Sequence, residues 1–152
     1  MVLVHGWAGN RTYWAHQIDY LAERYRVIAI DLGGHGESGL GRVEWNLAAF
    51  GDDVVAVVDE IGADRVAPRE VALGSLPYAR DRQSAILAAL AHIAAPIVAI
   101  NPGTAPTDVA SLRRHGVEPI LVEGVGHFAM IEAPDRFNAL LGAALASFCA
   151  PA

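Results

Sequence analysis

Cysteine occurs once in the 152 residues, at Cys149, which excludes an internal disulfide and a multi-cysteine zinc site. Lysine does not occur: all 11 basic residues are arginine, set against 17 acidic ones for a formal net charge of −6. A phosphate backbone needs a basic face, so this balance argues against a nucleic-acid partner. No apolar run approaches the ~18 residues of a membrane span, so the mean hydropathy of +0.31 reflects a greasy core. No basic stretch followed by an apolar one marks the N-terminus for export. These absences lead to the expectation of one cytoplasmic domain over residues 1–152, without a membrane partner and with no cofactor or metal implied.

The chain is 53% hydrophobic, ample for a buried core. Four short runs are apolar at successive positions: Val2-Leu3-Val4, Val27-Ile28-Ala29-Ile30, Ile97-Val98-Ala99-Ile100 and Ile120-Leu121-Val122. Such runs fit parallel strands covered on both faces. Helical spacing lies between them. Trp14, Ile18 and Leu21 share a face within Thr12 to Tyr25, and Val54, Val57, Val58 and Ile61 share one within Asp52 to Ile61. Ile86, Leu87, Leu90 and Ile93 mark a third helix, and a short fourth starts near Thr107-Asp108. The last opens at Pro134 and carries Phe137, Leu140, Leu141, Ala144, Leu145 and Phe148. Alternation of this kind predicts an α/β fold, a mainly parallel sheet of about four strands with helices on both faces. From Ala63 to Arg80 the reading places no strand, so two helices follow one another.

Ligands of such sheets bind at the carboxyl ends of the strands. The loops there read His5-Gly6-Trp7-Ala8-Gly9-Asn10, Asp31-Leu32-Gly33-Gly34-His35-Gly36-Glu37-Ser38-Gly39, Asn101-Pro102-Gly103-Thr104 and Glu123-Gly124-Val125-Gly126-His127-Phe128. Residues 34–39 satisfy G-x-G-x-x-G, but Leu40-Gly41-Arg42 follows where a dinucleotide site needs an immediate helix, so the match is read as accidental. His5, His35 and His127 lack the paired spacing or carboxylate of a metal site. His127 is the candidate general base, on a glycine-rich loop before a long amphipathic helix.

Taken in order, these loops resemble the α/β-hydrolase family. Val2 to Trp7 is similar to its strand and oxyanion loop, which implies Gly6 and Trp7 as oxyanion residues. Val27 to Ser38 resembles its next strand with a D-x-x-G-x-G-x-S turn, and Val122 to Leu141 resembles its histidine loop and final helix. The resemblance implies a hydrolase acting on carboxylic esters and small-molecule substrates. The pattern departs from the family at the nucleophile, since no G-x-S-x-G elbow occurs. The nucleophile therefore stays unknown, with Ser38, Ser75 or a water activated by His127 as options. The chain reads as though a segment near 66–68 were missing, with the nucleophile strand and much of the lid. The first and third recognised strands would then lie side by side. Asp108 is the first carboxylate after the third of those strands; it reads first as a helix cap and second as the triad acid. The alternative function is a non-catalytic, shortened hydrolase-fold protein that binds a small apolar ligand or partner. Exposed sheet edges would favour self-association.

Overall fold

Two parallel ladders organise the chain in its computed structural model, which describes residues 1–62, 71–73, 96–104 and 106–149. β1 (Val2–Val4) is central to a three-stranded sheet of order β2-β1-β3, with β2 at Ile28–Ile30 and β3 at Val71–Leu73. Both pairings are parallel: Val2 faces Ile28 and Val71, and Val4 faces Ile30 and Leu73. β4 (Ile97–Pro102) and β5 (Val117–Val122) form the second ladder, with Ile97 opposite Val117 and Pro102 opposite Val122. The four predicted strands are all present, and their parallel pairing matches the α/β expectation.

β3 corrects the reading of 63–80 as strandless, and it also takes the place beside β1 that had been expected for the Ile97 strand. The reason is physical. Val71-Ala72-Leu73 holds one β-branched residue, against two in each of Val2–Val4 and Ile28–Ile30, so the run lacks the β-branched density that marks the other strands. A strand this short is held by pairing with β1 rather than by propensity. The predicted helix at Ile86 to Ile93 and the gap inferred near 66–68 lie outside the described residues.

The chain divides into two compact units, Met1–Ala67 with Val71–Pro77 and Tyr78–Ala152 with Pro68–Glu70. In the first, Asn10 accepts from the Thr12 amide and starts a 3-10 turn (Arg11–Trp14) that leads into α1 (Ala15–Ala22). Trp14 and Leu21 are buried as their spacing predicts, with Leu3, Ile30 and Leu32 beside them in the core. α2 (Leu47–Glu60) begins five residues before the predicted Asp52, because the Asn46 side chain caps the Ala49 amide at 2.9 Å and the helix carries on through Gly51.

In the second unit, α3 (Val109–Arg114) starts at the cap residue Asp108. A short α4 (Ala129–Glu132) precedes α5 (Pro134–Cys149), which starts at the predicted proline. Val117, Val122, Val125, Ala129, Phe137, Ala144 and Leu145 form this unit's buried core. Among the described residues no helix is long and apolar enough to cross a membrane.

Candidate functional site

β1 delivers its carboxyl end into a tight turn. The Gly9 amide donates to the Gly6 carbonyl at 3.1 Å, and Ala8 inside the turn has φ +57°. Alanine at positive φ carries a steric cost, so the turn holds local strain. Trp7, one of the two predicted oxyanion residues, is 64% exposed there, and Gly6 is half-buried. His5 beside them is buried and fully used. Its Nδ1 donates to the Gly6 carbonyl at 2.8 Å, and its Nε2 accepts from the Leu32 amide at 3.1 Å. One tautomer makes both bonds, so this imidazole rivets the β1 exit to the β2 exit.

The β2 exit is built around Asp31, whose carboxylate is almost wholly buried. It accepts from the Arg11 amide at 2.6 Å and the Glu37 amide at 3.1 Å, and pairs with the Arg11 guanidinium. Burial pushes the carboxyl up, but the two amides and the guanidinium charge outweigh it and hold it below the ordinary aspartate value. Gly36, at φ +53°, lets the loop close on that carboxylate, since a Cβ there would collide with it.

Asp53 on α2 takes the Gly33 amide at 2.9 Å and Arg42 Nη1 at 2.7 Å, and Arg42 also caps the Ala49 carbonyl at 2.7 Å. The His35 ring packs tilted against His5 and edge-on to Trp7 and Phe50, with ring centroids 5.0 to 5.8 Å away. The G-x-G-x-x-G run closes on itself through the bond from the Gly34 amide to the Gly39 carbonyl, and α2 does not begin until Leu47. No helix N-terminus opens where the fingerprint requires one.

Ser38 Oγ donates to the Asp31 carbonyl at 2.7 Å, so its hydroxyl closes the loop. Ser147 Oγ donates to the Ala144 carbonyl within α5. Ser75 and Ser84 lie outside the described residues. Asp108 accepts from the Ser111 amide at 2.8 Å and caps α3, the first of its two readings.

In the second unit, β5 ends in the predicted histidine loop. His127 is exposed, with its ring edge-on to Phe128 at 4.8 Å. Four bonds hold the loop around it. Arg136 Nη1 donates to the Glu123 carbonyl at 2.7 Å, and Thr104 Oγ1 to the Val125 carbonyl at 2.8 Å. Glu132 accepts from the amides of Gly126 at 2.6 Å and Phe128 at 3.1 Å. The candidate base is thus an exposed imidazole on a loop pinned from both sides.

Sequence reasoning missed His5 and Glu132 as supports. The signal for Glu132 was its position five residues after the histidine and two before Pro134, and for His5 its place directly after a strand. Gly6, Trp7 and His127 each lie where the loop reading expected them, at the carboxyl ends of β1 and β5. Among the described residues no group of three His, Cys, Asp or Glu side chains converges to hold a metal ion.

Residues 1–67 match the family described as the alpha/beta hydrolase fold. A pimeloyl-[acyl-carrier protein] methyl ester esterase of Aeromonas hydrophila is 43% identical over 61 residues, 40% of this chain and 24% of that protein. The chain thus spans about a quarter or less of the length of the curated relatives it matches. Among solved structures, a thermophilic esterase from Thermogutta terrifontis is similar at TM-score 0.73 and 14% identity, over 98% of this chain and 90% of that one. The enol-lactonase from Burkholderia xenovorans is similar at TM-score 0.70 and 15% identity, over 95% and 90%. Similarity at that identity is similarity of fold.

Proposed function

We propose that this chain, which has the α/β-hydrolase fold, hydrolyses carboxylic esters with Ser75 as nucleophile, His127 as general base and the backbone amides around Gly6 and Trp7 as oxyanion donors. One observation carries the assignment of the nucleophile. β3 follows α2 in the chain and lies parallel against β1, with Leu73 opposite Val4. Two residues on from Leu73, Ser75 is at most about 7 Å from it along an extended chain. The strand end that leads to Ser75 therefore runs beside the strand end that leads to His5-Gly6-Trp7. Ser38 is the weaker option, its hydroxyl being committed to the Asp31 carbonyl.

The chemistry proposed is attack of a serine Oγ on the ester carbonyl with loss of its proton to a general base, the nucleophile role falling to Ser75 and the base role to His127. The resulting oxyanion meets the backbone N–H groups of the β1 turn. The alkoxide leaves with the proton from His127, and water then releases the acid by the same route. Asp108 is carried as the orienting acid, with one carboxylate oxygen already given to the Ser111 amide. The relatives named as esterases support the substrate class. We further propose a shortened architecture, a cytoplasmic location, a small-molecule substrate, no nucleic-acid or membrane partner, no cofactor, and self-association through sheet edges.

A second reading is a non-catalytic binder of a small apolar ligand or partner. It is favoured by the structural bonds of Ser38, Ser147 and Asp108 and by the exposure of Trp7, Leu40, Val43 and Trp45. Turnover of short-chain p-nitrophenyl esters decides between them. The hydrolase reading expects measurable turnover that His127→Ala lowers by about 10³-fold or more. Cooperative unfolding with no turnover supports the binder.

A further inference from the structure

The geometry points to Glu132 as the positioning residue for His127, an inference that rests on the hydrolase reading for its kinetic arm. The two oxygens of the Glu132 carboxylate are divided between the amides on either side of the histidine: Oε2 takes Gly126 and Oε1 takes Phe128. The link to Phe128 is reciprocal, because the Glu132 amide donates back to the Phe128 carbonyl at 2.9 Å. Two hydrogen bonds thus fix the N–H and the C=O of Phe128, the residue that follows His127, and a third fixes the N–H of Gly126, the residue that precedes it. Such bonds to an ionised carboxylate are stronger than neutral ones.

Residue 126 is itself shaped for this clamp. A Cβ built there would lie 2.8 and 2.9 Å from the two Glu132 oxygens, a spacing real Cβ atoms essentially never show. Glycine is therefore what lets the carboxylate come in. With the backbone held on both sides, His127 keeps its edge-on contact with Phe128, and its imidazole is presented in a restricted set of orientations. Orientation of a base matters steeply, since small displacements of a reacting group cost large factors in rate. Glu132 would thus act on the reaction only through His127, without touching substrate.

The test uses the full chain with Glu132→Ala, Glu132→Gln and Gly126→Ala, with His127→Ala to assign the imidazole ring protons by NMR. In the parent, the Phe128 ring current sets the His127 ring-proton shifts apart from those of an unstructured histidine. Glu132→Ala and Gly126→Ala are expected to move those shifts toward the unstructured values. Each should lower kcat on the ester by about tenfold with KM within about twofold. Glu132→Gln, which keeps one acceptor oxygen, should fall between them and the parent. Unchanged His127 shifts in all three variants overturn the proposal. So does a loss of dispersion spread over every histidine, because that marks a general structural role. If the parent turns over no ester, the hydrolase reading fails by itself, and the ring-proton shifts still decide whether Glu132 positions His127.

Discussion

Nε2 of His5 accepts a hydrogen bond from the Leu32 amide at 3.1 Å, so a buried imidazole on the β1 exit ties down the β2 exit 27 residues further on. The histidine beside the predicted oxyanion pair is therefore an anchor. Replacing it leaves the Leu32 N–H buried and unpaired, a loss in the range of about 1–3 kcal/mol. His5→Ala is expected to lower the denaturant midpoint by that equivalent, while Ala139→Ser, at an exposed helix position, should change it by less than about 0.5 kcal/mol. Urea unfolding of both variants checks the contrast; equal destabilisation would remove the distinction.

Asp31 is expected to contribute to the acid limb of stability. Its carboxyl titrates lower in the folded chain than in the unfolded one. Its stabilisation is thus complete above the unfolded value of ~3.9 and drains away as the pH falls through the folded value. Asp31→Asn should flatten that acid-side loss and lower stability at neutral pH. Unfolding midpoints measured from pH 3 to pH 7 show it, and parallel curves for parent and variant would count against the assignment.

Ala8 gives a prediction of sign. Glycine for an exposed helical alanine costs about 1 kcal/mol, and Ala139→Gly in α5 should show that loss. At Ala8, φ +57° offsets the cost because glycine relieves the strain. Ala8→Gly should therefore unfold at the parent's midpoint or above it. A midpoint as low as that of Ala139→Gly would mean the turn carries no strain.

The legible parts of this fold were those with dense local patterning. β-branched runs announced β1, β2, β4 and β5, and the spacing of Trp14 and Leu21 or of Phe137, Ala144 and Leu145 announced which helix faces are buried. Asp108 capped its helix as its place before Val109 suggests. β3 was not legible because a run with one β-branched residue is stabilised by its neighbour on β1, a nonlocal term. The Glu132 clamp stayed hidden for a related reason: it depends on a four-residue helix, α4, that turns the carboxylate back onto the loop. The candidate base was visible because a glycine-rich loop at a strand end is a local signal. The candidate nucleophile was obscured because its strand was.

Arg42 and Asp53 offer a check on the loop between β2 and α2. Arg42→Ala removes the bonds to Asp53 and the Ala49 carbonyl and the guanidinium contacts with the Trp45 and Phe50 rings, 5.8 and 5.1 Å away. The loss expected is about 1–2 kcal/mol. It should be accompanied by faster hydrogen exchange at Gly33, whose amide rests on Asp53. Unchanged exchange at that amide would mean Arg42 does not hold the Asp53 carboxylate in place.

Labelling with a fluorophosphonate, followed by peptide mapping of the intact chain, tests the central claim most directly. The account predicts one covalent adduct, on Ser75, that is lost in Ser75→Ala and strongly slowed in His127→Ala. An adduct on Ser38, or none on any serine of a cooperatively folded chain, would contradict it.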